Sequence, residues 1–199
     1  MASKETIKAK KARLARVLGQ LSTLYPDPVT ALEWETPLQL LVATILSAQC
    51  TDVRVNRVTP ELFKRFPGAL ELSQADPVEL QDLIHSTGFF RQKTKSIIGT
   101  SQAIVRDHGG EVPADMAALV KLPGVARKTA NVVLGAAFHM AVGVVVDTHV
   151  KRLSARLGFT TYKDPVKVEK DLMAQVPQEQ WIDLSHWLIL HGRAICRAR

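Results

Sequence analysis

The sequence predicts an all-α protein. Three observations carry that reading. Apolar residues recur at helical spacing along nearly the whole chain, period-2 alternation is almost absent, and short connections rich in Pro, Gly and Asp punctuate the helical stretches. Val144 to Val146 is the one short strand candidate. The first helix is read from Leu14, Val17, Leu18, Leu21 and Leu24, with lysines on its other face, and Tyr25-Pro26-Asp27-Pro28 ends it. A second, deeply buried helix begins at Pro37, because proline is tolerated at a first helical position, and carries Leu40, Leu41, Ile45 and Leu46. The polar break Ser47, Gln49, Thr51, Asp52 follows, with Asp52 a candidate helix cap. Val55, Val58, Leu62 and Phe63 mark the next helix, which stops at Phe66-Pro67-Gly68. Asp76-Pro77 opens another, carrying Leu80, Leu83 and Ile84 and closing at Thr87-Gly88 as a glycine C-cap does. Lys95 to Val105 is read as a helix closed by His108-Gly109-Gly110. Asp115 caps a turn carrying Met116, Leu119 and Val120, and Leu122-Pro123-Gly124 forces a tight corner into a helix from Arg127 to Phe138. Patterns over Val150 to Leu157, Val166 to Val176 and Trp181 to Cys196 complete some nine or ten helices.

Composition narrows the function classes. The 199 residues hold 26 Lys plus Arg against 19 Asp plus Glu, a net charge of +7, which points to a polyanionic partner. A 46% hydrophobic and 23% charged chain excludes disorder and collagen-like repeats. The apolar runs Leu38 to Ala48 and Val132 to Val146 fall short of the roughly 18 residues of a membrane span. No apolar segment follows the basic start Lys4, Lys8, Lys10, Lys11, Arg13, so no secretory signal is expected. Two cysteines, Cys50 and Cys196, make neither a disulfide framework nor a CxxC knuckle, and a reducing cytoplasm is the expected compartment. Cys50 is expected to be a packed small hydrophobe. His186 and His191 are off the i, i+4 spacing of helical metal ligands, and no Walker loop, GxSxG elbow or Rossmann glycine fingerprint is present.

The stretch from Leu122 to Ala130 carries the most chemistry. A Pro-Gly corner leading into a helix leaves backbone N–H groups aimed at one spot where the helix dipole also favours negative charge. Such a corner holds a phosphate without reading sequence. An ordinary αα-hairpin turn has the same local signature. Lys128 alone would be a solvated or phosphate-binding lysine, and Asp147 before Thr148 and His149 would be a helix N-cap.

The wider pattern decides between these readings. LPGVARKTANVVL (122–134) followed by VDTHVKRLSARLG (146–158) resembles the helix-hairpin-helix DNA glycosylases, and within them the endonuclease III type. The resemblance extends through Leu40 to Asp52, Thr87 to Ile97, Gly110 to Val125 and Leu188 to Cys196. It implies a two-lobed helical fold: a central domain over 30–140 bearing the hairpin, a second built from 1–29 plus 141–199, and DNA in the cleft between them. It also implies a bifunctional glycosylase and abasic-site lyase of base excision repair, which removes oxidised pyrimidines through a Schiff base and then cleaves by β-elimination. Lys128 matches the family's nucleophile and Asp147 its catalytic aspartate, the two facing each other. The amine must be uncharged when it attacks, so its pKa is expected to be lowered by the helix start, by Arg127 nearby in sequence, or by partial burial. Gln49 matches the residue inserted opposite a flipped base, and Phe89 the apolar wedge, where leucine is usual. Phe89 or Phe90 would otherwise be a core aromatic. Leu122, Gly124, Ala126, Arg127 and Thr129 belong to the DNA-binding hairpin. The implied partner is duplex DNA carrying a damaged base or an abasic site, met by a monomer in the cytoplasm at the nucleoid.

Three departures stand out. Lys128 and Asp147 have 18 residues between them, one more than the family pattern, absorbed between His139 and Val146. Ala126 stands where a second hairpin glycine is usual, and would be strained if that position needs a positive φ. Cys196 sits at the first position of the family's four-cysteine 4Fe-4S motif, but only Arg197, Ala198 and Arg199 follow. One thiolate cannot hold such a cluster, so no cofactor is supported unless further cysteines lie beyond Arg199. The alternatives are a MutY-like monofunctional glycosylase, which Lys128 argues against, and a helix-hairpin-helix module that grips duplex DNA without catalysis. Preferred lesion and opposite base are not legible.

Overall fold

The computed structural model describes residues 5–198, so Lys4 and Arg199 lie outside it. Among the described residues there are eleven α-helices, two 3₁₀ turns and no strand. The helices are α1 (Ile7–Leu24), α2 (Pro37–Leu46), α3 (Asp52–Arg65), α4 (Ala69–Ser73), α5 (Pro77–Ile84) and α6 (Phe90–His108). They continue with α7 (Met116–Leu119), α8 (Arg127–Phe138), α9 (Thr148–Arg156), α10 (Pro165–Met173) and α11 (Trp181–Ala194). Thr or Asp side chains cap many of the helices. Thr6, Thr36, Thr51, Asp76, Asp115, Asp147 and Asp164 each accept a first-turn N–H.

The chain divides into two units, one of residues 30–140 and one of 1–29 with 141–199. In the first, α2 is the central element: Leu40, Leu41, Val42, Ala43 and Leu46 are fully buried, and the helix packs on α3, α6 and α8. Its mostly apolar sequence, broken only by Gln39 and Thr44, is what a helix covered on several sides needs. In the second, α1, α9, α10 and α11 enclose Leu14, Leu18, Val150, Leu153, Phe159, Leu172, Leu184 and Leu188. Several long-range bonds tie its N-terminal segment to its C-terminal part: Lys10 Nζ donates to the Phe159 carbonyl at 2.8 Å, Arg13 to the Leu157 carbonyl, and Trp187 Nε1 to the Tyr25 carbonyl at 3.0 Å.

Four local expectations are corrected. Val144 to Val146 forms no strand: Val144 is a core residue, and Val145 N–H donates to Ser185 Oγ at 3.0 Å, so the segment has no need of a partner strand. Asp52 is the first helical residue of α3, and the cap is Thr51, whose hydroxyl accepts from Arg54 N–H. The helix expected from Lys95 begins at Phe90, and α4 is an additional helix whose five residues are too few to show a period. Cys50 is half-buried in the loop after α2 and forms no part of the core.

Candidate active site

The hairpin is built from the turn outwards. Val125 N–H donates to the Leu122 carbonyl at 3.1 Å, and Gly124 has φ 75°, a type II β-turn with Pro and Gly at its two central positions. Leu122 and Val125 are buried and anchor it from below, and the Leu122 N–H is itself bonded to the Leu119 carbonyl. Helix α6 forms the floor. Thr100 Oγ1 donates to the Pro123 carbonyl, and Ser96 lies so close that a Cβ on Gly124 would sit 2.5 Å from the Ser96 Cβ and Oγ. Gly124 is thus required twice, by its dihedral and by its neighbour. We expect Gly124→Ala to lower the unfolding free energy by about 3 kcal/mol, the sum of a left-handed alanine and an overpacked contact. Urea denaturation measures it, and an unchanged midpoint would mean that the turn yields at no cost.

Ala126 then enters α8 with φ −84° and ψ 165°, ordinary extended backbone. The strain considered for this position is therefore absent, because the left-handed residue of the corner is Gly124 and not Ala126. As N-cap, Ala126 offers no side-chain oxygen, so the first-turn N–H groups receive no side-chain cap from it. The first helical bond runs from Ala130 N–H to the Ala126 carbonyl at 3.0 Å. Arg127 and Lys128 are exposed on this first turn and Thr129 is half-buried. An uncapped helix start bearing two cations is suited to a phosphate, and it holds Lys128 on a rigid backbone at the edge of that field.

Asp147 belongs to the other unit. It is half-buried and is the N-cap of α9, its Oδ1 accepting from Val150 N–H at 2.8 Å. One carboxylate oxygen is thereby fixed in place, which aims the other without side-chain freedom.

Gln49 and Phe89 share an unusual feature. Both have left-handed backbone, φ 51° and 48°, in residues that carry a Cβ, and both are exposed, Phe89 to 66%. Such conformations cost on the order of 1 kcal/mol each and gather where a loop must present a side chain. Phe89 is therefore not a core aromatic. Phe90 is the partly covered ring, 4.4 Å from the His85 ring with the Arg91 guanidinium over its face. The residue that sequence reasoning missed is Lys93. It is 4% exposed, and its Nζ donates to the Leu46 carbonyl at 2.7 Å and the Thr87 carbonyl at 2.9 Å. Burial pushes the pKa of its ammonium below the usual lysine range, partly offset by the negative charge Cys50 carries when ionised. A signal was present: Lys93, Ile97, Thr100 and Ile104 form one stripe of α6, and a lysine on a buried stripe needs acceptors.

The described residues do not fit a four-thiolate cluster. Cys196 is a lone thiol whose sulfur accepts from Arg156 Nη1 at 3.0 Å, while Arg152 Nη2 donates to its carbonyl at 2.8 Å. Among the described residues no group of three or more His, Cys, Asp or Glu could hold a metal ion.

Comparison with known proteins identifies the family. The chain belongs to the HhH-GPD superfamily of base excision DNA repair proteins, whose model matches residues 42–178. Within that class the similarity narrows to one type. The chain is 56% identical over 191 residues to endonuclease III of Synechocystis sp., which spans 96% of this chain and 87% of that protein. It is 41% identical over 189 residues to endonuclease III of Escherichia coli, covering 95% and 89%. A solved structure of a trapped endonuclease III–DNA covalent intermediate superposes with a TM-score of 0.90 at 40% identity, covering 95% of this chain and 89% of that one. A thermostable thymine-DNA glycosylase, 19% identical with a TM-score of 0.84 over 96% and 91% of the two chains, shares the fold.

Proposed function

We propose that this protein is an endonuclease III-type DNA N-glycosylase with abasic-site lyase activity, acting on duplex DNA that carries an oxidised pyrimidine or an abasic site. The observation that carries the reading is Lys128 on the first turn of a helix entered through a phosphate-holding hairpin. The hairpin N–H groups and Arg127 take a backbone phosphate, which sets the register of the strand without reading its bases. The uncharged Lys128 amine attacks the sugar C1′, and the bond to the base breaks with its electron pair leaving on the base. Ring opening gives a protonated Schiff base. That iminium acidifies C2′, whose proton is lost as the C3′–O bond breaks and the 3′ phosphate departs; water then releases the lysine. Asp147 stabilises the cationic sugar and carries protons during these steps. Gln49 and Phe89 fill the stack that the extruded nucleotide vacates.

None of these steps draws on a cluster, and a 4Fe-4S centre would need three thiolates beyond Cys196. A monomer suits a lesion with no symmetry, and a cytoplasmic enzyme working on chromosomal DNA is the reading that fits this substrate. Borohydride trapping on a thymine-glycol duplex tests the reading. The wild-type protein should form a covalent adduct and nick the strand, whereas a helix-hairpin-helix binding module would bind the duplex and leave it whole.

A further inference from the structure

Three exposed non-glycine residues of one unit have left-handed backbone; His139 ends α8, while Gln49 and Phe89 stand on separate loops. Gln49 lies three residues after Leu46, the last residue of α2, and Phe89 two after Thr87, where a 3₁₀ turn ends. Gly88 and Phe89 have successive positive φ angles of 72° and 48°, a conformation that local sequence does little to hold. The same ammonium reaches both loops at their roots. Lys93 lies in the first turn of α6, and because helical side chains lean toward the N-terminus its stem runs back past Phe89 to the Thr87 and Leu46 carbonyls. Among the described residues Lys93 forms no ion pair. Its charge rests on two carbonyls, one of them at the C-terminal, negative end of the α2 dipole. A buried cation without a carboxylate is costly for a purely structural part, since an apolar side chain would fill the same space. The arrangement makes sense if two otherwise independent loops must be locked to each other.

We propose that Lys93 is a positioning residue that clamps the Gln49 and Phe89 loops into one preformed wedge, so that both enter the base stack together; this rests on the glycosylase reading above. Opening a stack costs a few kcal/mol. A wedge already ordered meets that cost without also ordering two loops, which makes the clamp matter for intact duplex and not for a strand that needs no opening.

The test combines Lys93→Met, the double variant Q49A/F89A and the triple variant, each assayed on a thymine-glycol duplex and on a single-stranded abasic oligonucleotide. Lys93→Met should lose about tenfold in kcat/KM on the duplex, mostly through KM, and stay within about threefold on the single strand. In the Q49A/F89A background, adding Lys93→Met should cost less than twofold further, because coupled residues do not add. Full additivity, or equal losses on both substrates together with a lowered Tm, overturns the clamp. Should Lys93→Met not fold, hydrogen exchange of the wild-type protein decides: amides of residues 47–51 and 88–92 opening at one common rate support the clamp, and independent opening overturns it. A wild-type protein inactive on both substrates would instead overturn the glycosylase reading.

Discussion

Lys128→Ala should abolish the borohydride-trapped adduct and reduce base excision at least a thousandfold, on the order of 4 kcal/mol in the barrier. The size follows from what the side chain supplies. Without an amine at C1′ there is no covalent intermediate, so no iminium forms to acidify C2′, and both excision and strand cleavage lose their route. Binding should fall only modestly, because in the proposed reading the hairpin backbone and Arg127 still hold the phosphate when the Lys128 charge is gone. Lys128→Arg refines the point, since it keeps the positive charge on an exposed first turn and removes the nucleophile. An alanine variant that still traps would move the nucleophile elsewhere, and an arginine variant that excises at the wild-type rate would reduce Lys128 to a phosphate contact.

Asp147→Asn should lower turnover by about a hundred- to ten-thousandfold while leaving unfolding free energy within about 0.5 kcal/mol of wild type. Asp147 caps α9 through Oδ1, and asparagine caps helices as well as aspartate does, so the exchange removes charge and spares the cap. Asp147→Ala removes both and should also cost about 1 kcal/mol of stability. Chemical denaturation alongside single-turnover kinetics separates the two roles. Wild-type turnover in the asparagine variant would make Asp147 a helix cap and nothing more.

The gap between what could be read from residues and what needed coordinates follows a physical line. Helices were legible where the apolar period met a clear start signal: α8 runs from Arg127 to Phe138 as its Pro-Gly corner and apolar spacing indicate, and Pro37 opens α2. The four-residue α7 was found through its Asp115 cap, whereas α4, with no side-chain cap, was not. Lys128 and Asp147 entered through motif context, because each by itself is an ordinary surface lysine or an ordinary cap. Ala126 shows the opposite failure. A missing glycine predicted strain, but which residue of a turn takes the positive φ is settled by the whole corner, and here Gly124 takes it against Ser96.

Sequence alone determined the helical class, the Pro-Gly corner and the chemistry available on the helix that follows, since period, capping and turn preference are properties of a few neighbouring residues. Tertiary structure decided that Phe89 stands in solvent in a left-handed conformation and that Lys93 is buried between two carbonyls 6 and 47 residues away along the chain. No local preference encodes a contact of that separation, because it exists only once α6 has packed and the ends of two other segments have been brought to the same ammonium.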